Sequence, residues 1–185
     1  KQAKRNRHSL EMFSFSAKEE QENNIAWYKR IKEAVEESRI VPYFQPIIHN
    51  ATGRISKYEC LVRLIDEDGT VMSPFHFLDA ARKSRLYPEL TKTIVRRSFE
   101  LFAGTGYEFS VNISIDDILD EDTRVFIFDT MNGDPETAGR IVFELLESQG
   151  IENYSEVTDF ITVIKSMGVK IAVDDFGSGY SNFEH

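Results

Sequence analysis

From residue 55 to residue 174, runs rich in β-branched and aromatic residues alternate with helix-length amphipathic stretches. Such alternation means parallel strands joined by helical crossovers, which narrows the fold to the α/β class. A closed (β/α) barrel is one way to satisfy it. The pattern predicts strands over 41–48, 55–64, 108–113, 140–146 and 170–173. It predicts helices over 25–37, 77–86, 90–102 and 116–129, and a last one running from residue 153 to the cap at Gly168. Asn50-Ala51-Thr52-Gly53 supplies a turn, so the first two strands read as a hairpin. Ser73-Pro74 reads as a helix start, Asn153 with Glu156 resembles a capping box, and Gly168 stands where a C-terminal cap belongs.

Acids and an amide interrupt these strands. Glu59, Asn112 and Glu144 lie within strand runs, and Asp174 follows the run 170–173. A charged or amide group on a buried strand is costly unless it is paired or binds a metal. Asn112, Glu144 and Asp174 are spaced by roughly 30 residues, about one βα unit, so each can project from the same end of neighbouring parallel strands. In a (β/α) barrel that end is the C-terminal mouth, where catalytic groups gather. Three carboxylates and an amide oxygen form a hard, all-oxygen donor set suited to Mg²⁺ or Mn²⁺. Asp175 offers a ligand for a second ion. Two such ions can activate water and stabilise charge on a phosphoryl group, so phosphodiester hydrolysis is the chemistry this pattern favours. Taken singly, each acid reads equally well as a solvated strand end or a helix cap.

The rest of the sequence excludes several classes. Against 22 Lys and Arg stand 31 Asp and Glu, a net charge of -9, which argues against a DNA-binding or anionic-membrane surface. Cys60 is the only cysteine, so no internal disulfide or thiolate zinc cluster is available, in keeping with a reducing, cytoplasmic setting. No apolar run approaches the roughly 18 residues of a membrane span. His8, His49, His76 and His185 lack metal-ligand spacing, and no nucleophile elbow or P-loop is present. Asp116-Asp117 and the acidic run 120–122 read as a helix start and a solvated face.

Tyr43-Phe44-Gln45-Pro46-Ile47 followed by Glu59-Cys60-Leu61-Val62-Arg63 resembles the YxQPI and EALxR signatures of EAL domains. Val111-Asn112-Ile113-Ser114 is similar to the family's VNxS motif. Phe143-Glu144-Leu145-Leu146-Glu147-Ser148 resembles ExTES, and the stretch from Asp174 through Ser181 resembles DDFGxGYS. One such motif is weak; in family order across residues 41–185 they are specific together.

The resemblance implies a modified TIM (β/α)8 barrel with one antiparallel strand, of which this chain holds the N-terminal part. It implies metal-dependent hydrolysis of cyclic di-GMP to pGpG, with Mg²⁺ or Mn²⁺ as cofactor. Glu59, Asn112, Glu144 and Asp174 would hold the first ion and Asp175 the second. Gln45, Leu61 and Arg63 would contact the dinucleotide, the Arg63 fork pairing with a phosphate. Glu147 would hold the loop over 176–183, which in the family couples metal binding to a homodimer interface. The alternative is a catalytically silent module that holds cyclic di-GMP and signals without cleaving it.

Two positions depart from the family pattern: Cys60 stands for the usual Ala, and Leu146 for Thr. The chain ends at His185, before the family's later lysine, glutamate and glutamine, so these 185 residues alone are expected to bind metal weakly or not at all and to turn over no substrate. Ala3-Lys4-Arg5-Asn6-Arg7 and the stretch 10–15 resemble the end of a GGDEF domain. The expected division is therefore 1–24, a GGDEF-like remnant and linker, and 25–185, an EAL domain, both drawn from a longer tandem protein.

Overall fold

The computed structural model describes residues 22–146 and 154–174 of the chain. Helix α1 (22–36) leads into strand β1 (Ile40–His49), which returns as β2 (Arg54–Ile65). The hairpin is antiparallel, and Gly53 takes φ 65° in its turn, a conformation that glycine reaches without a Cβ clash. There follow β3 (Val71–Met72), a 3-10 turn at Pro74–His76, α2 (Leu78–Lys83) and α3 (Tyr87–Phe102). Then come β4 (Glu108–Ile113), α4 (Ile115–Leu119), α5 (Glu121–Gly133), α6 (Pro135–Ala138), β5 (Ile141–Leu146), α7 (Tyr154–Ser166) and β6 (Lys170–Asp174). The sheet runs β1-β2-β4-β5-β6. All its neighbours are parallel except β1 against β2, and β3 pairs antiparallel with β2. This is the parallel wall with one early antiparallel strand that the sequence predicts, and it forms part of a barrel.

Side chains alternate across a strand, so the register assigns every residue to one of two faces. One face carries Cys60, Leu64, Phe109, Val111, Ile113 and Phe143, all buried in the main apolar core. Helix α3 covers part of it with Leu90, Ile94 and Phe102, which recur at helical spacing. The Phe102 ring stacks on Phe109 with centroids 4.5 Å apart and planes 7° apart. Polar residues fall on the other face. Among the described residues no helix is long and apolar enough to cross a membrane.

The helix expected over 116–129 is two helices. Asp120 breaks it: its carboxylate accepts from the Thr123 backbone N–H at 2.8 Å and so caps α5. Asp117, read as part of a helix start and a solvated face, does lie in the first turn of α4 but is fully buried. It belongs to a capping box in which Ser114 N–H and Oγ–H donate to its Oδ2 at 2.9 and 2.7 Å, and its own N–H donates to Ser114 Oγ at 3.2 Å. The strand β3 and helix α6 are too short to leave a periodic signal. Gly168 caps α7 as predicted, with φ 90° and the Val169 N–H closing back onto Ile164 O at 3.3 Å. Asn153, the proposed capping residue, lies outside the described residues.

Burial pushes the Asp117 carboxyl above its ordinary value of 3.8, against the pull of the Ser114 hydrogen bonds. A raised folded-state value means that the native protein binds the extra proton. The stabilisation is therefore full below pH 3.8 and is lost as pH rises through the folded-state value. Asp117→Asn, which keeps an acceptor for Ser114 and cannot ionise, is expected to remove this slope. Urea midpoints of the two proteins from pH 4 upward should diverge, the wild type falling relative to the variant. Parallel pH profiles would contradict the assignment.

Candidate functional site

Glu59 of β2 pairs in register with Ser110 of β4, and Asn112 of β4 pairs with Glu144 of β5. Asp174 of β6 pairs with Leu146, two residues beyond Glu144. Because alternation has period two, positions 59, 112, 144 and 174 all fall on the polar face. Asn112 and Glu144 sit directly opposite each other on strands about 4.8 Å apart.

The stagger of the set is informative. Starting at Glu59 and following register partners gives Ser110, Val142 and Lys170, and Asp174 lies four residues further along β6. The positions climb four residues over three strand-to-strand steps. Strands of a TIM barrel are tilted, and a shear of eight over eight strands shifts residues of equal height by about one per strand. The diagonal thus approximates one level around the barrel, from the middle of β2 to the C-terminal ends of β4, β5 and β6.

Two features mark the polar face electrostatically. Asn112 Oδ1 is buried and accepts no hydrogen bond among the described residues, and Ser110 Oγ beneath it is likewise buried without a partner. Buried polar atoms in this position call for a donor, a water or a cation. Lys57 of β2 reaches over β4 and its ammonium donates to Glu144 Oε1 at 2.9 Å. Lower on the same face Lys170 pairs with Glu108. On the opposite face the Cys60 thiol is pushed up to about 12, chiefly by burial, with the negative charges of Glu59 and Glu144 adding to it. Cys60 stays a neutral, packed thiol at neutral pH.

The residues expected to contact substrate share this face. Gln45 pairs in register with Glu59, and Leu61 and Arg63 follow Glu59 at intervals of two along β2. Gln45 is exposed, Leu61 and Arg63 are half-buried. Arg63 lies 5.7 Å from the Tyr43 ring centroid and donates to Val62 O at 2.7 Å. Among the described residues it makes no ion pair. Asp175 and Glu147 lie outside the described residues, as does the side chain of Asp174. Among those described, no three His, Cys, Asp or Glu side chains converge on one point. An apolar cavity of about 180 Å³ lies between β2, β4 and α3, lined by Cys60, Tyr87, Leu90 and Ile94 among others, and Leu61 and Asn112 also border it.

Lys57 and Ser110 went unnoticed in the sequence. The signal was available for Lys57: it precedes Glu59 by two residues, so strand periodicity puts it on the same face. Nothing in a sequence tells which partner strand a lysine crosses to reach.

A mostly parallel wall with an antiparallel first strand is the sheet of a modified barrel. Residues 29–185 match the EAL domain model, and the chain belongs to that family. The chain is 27% identical over 170 residues to the cyclic di-GMP phosphodiesterase PdeB of Shewanella oneidensis, covering 88% of this chain and 20% of the relative. The crystal structure of an EAL domain protein from Listeria monocytogenes superposes with a TM-score of 0.71 at 24% identity, over 83% of this chain and 61% of that one. The S helix-GGDEF-EAL portion of Vibrio cholerae LapD, bound to c-di-GMP, gives 0.76 at 16% identity, over 87% of this chain and 40% of that one.

Proposed function

We propose that this chain contributes the metal-binding wall of a cytoplasmic phosphodiesterase that hydrolyses cyclic di-GMP to pGpG with Mg²⁺ or Mn²⁺. The observation that carries the reading is the diagonal of Glu59, Asn112, Glu144 and Asp174 on one face of a parallel wall. The orphaned Asn112 Oδ1 and the all-oxygen donor set fit a hard divalent cation. Glu59, Asn112, Glu144 and Asp174 would hold the first ion, and Asp175 the second. Bound there, such ions promote attack of water on a phosphodiester and stabilise the charge that develops on phosphorus-bound oxygen.

The chain's own residues would hold the substrate. Arg63, without a carboxylate partner among the described residues, is placed to take a substrate phosphate through its fork of donors. Gln45 and Leu61, on the same face, would hold the dinucleotide against the wall. Water adds to phosphorus, the bond from phosphorus to the ribose 3′ oxygen breaks, and that oxygen leaves with a proton. The homodimer and the preceding GGDEF domain belong to the same reading, and a GGDEF-EAL arrangement is that of the LapD neighbour.

The test is an assay of the protein that carries this chain, with cyclic di-GMP and either Mg²⁺ or Mn²⁺, following pGpG by chromatography. Appearance of pGpG that EDTA abolishes is expected. Saturable binding of cyclic di-GMP with no cleavage would replace the enzyme by the silent receptor. No binding at all would overturn both.

A further inference from the structure

Strand β2 presents Lys57, Glu59, Leu61 and Arg63 in alternation on the polar face. Lys57 stands out because its partner lies two strands away. Its register partner on β4 is Glu108, yet its side chain reaches past β4 and places the ammonium 2.9 Å from Glu144 Oε1, with the two side chains 24% and 13% exposed. Ion pairs at a freely exposed surface exchange readily with water; one this sheltered holds its carboxylate in a fixed direction. Glu144 is directly opposite Asn112, whose Oδ1 is the orphaned acceptor.

An ammonium group uses the carboxylate lone pairs that a cation needs, and a like charge beside a divalent ion opposes its entry. We propose that Lys57 is a positioning residue that holds Glu144 across β4 and competes with a divalent cation for its oxygen, setting the cation affinity of the site. This inference rests on the metal-site reading above. The second ion pair of the same face supplies the internal comparison. Lys170 with Glu108 carries the same charge lower on the wall but involves no proposed ligand.

The experiment is Mn²⁺ titration of the protein that carries this chain, without nucleotide, read as the loss of the free Mn²⁺ signal in electron paramagnetic resonance. Lys57→Met is expected to bind Mn²⁺ about tenfold more tightly than wild type, the direction set by removing a like charge at close range. Lys170→Met is expected to stay within about twofold, because its charge sits beside no ligand. Lys57→Gln, which keeps a donor for Glu144 without the charge, should shift in the same direction as Lys57→Met and serves if the methionine variant does not fold. Affinity in the Lys57 variants equal to or weaker than wild type would overturn the role of Lys57 while leaving the metal site standing. Equal tightening in Lys170→Met would overturn it too, by showing a general charge effect. Absence of Mn²⁺ binding in wild type and all variants would remove the metal site and the proposal together.

Discussion

Replacing Glu59 by alanine is expected to lower Mg²⁺- or Mn²⁺-dependent hydrolysis of cyclic di-GMP by more than about 100-fold, the upper end of losses seen when only an outer-shell partner of a metal is removed. The fold should survive. Glu59 lies on the polar face, while its neighbour Cys60 carries the packing at this point of β2, 2% exposed in the main core. Far-UV circular dichroism and the urea midpoint of Glu59→Ala should therefore match wild type closely. Its affinity for Mn²⁺ should fall together with its activity. Retained activity would sink the ligand assignment. Loss of folded structure would show instead that Glu59 serves the packing of the wall, and the face assignment would fall with it.

Much of the wall and the common face of these residues was legible because it depends on period alone. The acids at 59, 144 and 174 and the amide at 112 stand in strand-like runs, and one βα unit separates each of the last three. Parallel pairing then leaves little choice of face. The antiparallel hairpin was equally plain from the Asn50–Gly53 turn. What escaped the sequence depends on a third dimension. Asp117 looks like any acid at a helix start, and only the packing of α4 against its surroundings shows it fully buried. The continuous helix expected over 116–129 failed because Asp120 competes for the Thr123 N–H and reinitiates the chain there, which helical apolar spacing does not register. The partner of Lys57 was invisible for a different reason. The meaning of Lys57 lies in a contact with Glu144, 87 residues away, and strand order has to be known before such a contact can be drawn.

Phe143→Ala is expected to cost about 3–5 kcal/mol of unfolding free energy, the usual range for deleting a buried phenyl group when the surroundings relax only in part. Phe143 is fully buried on β5, which has β4 on one side and β6 on the other; its register partners are Val111 and Ile171. A void there lies between strands and covering helices that are held by neighbours on both sides, so little collapse can fill it. Against a typical total of about 5–15 kcal/mol the loss is large, and it should appear as a lower urea midpoint with an unchanged slope. The position is diagnostic because Glu144 comes next. A one-residue slip in the pairing of β5 would turn Phe143 to the polar face and bury Glu144 in the core. A loss smaller than about 1 kcal/mol, the range of a surface change, would mean that Phe143 is not packed as described, and the diagonal of ligands would lose its support along with it. A loss in the expected range, with Mn²⁺ affinity unchanged in the protein that remains folded, would place packing and chemistry on opposite faces of the same strand, one residue apart.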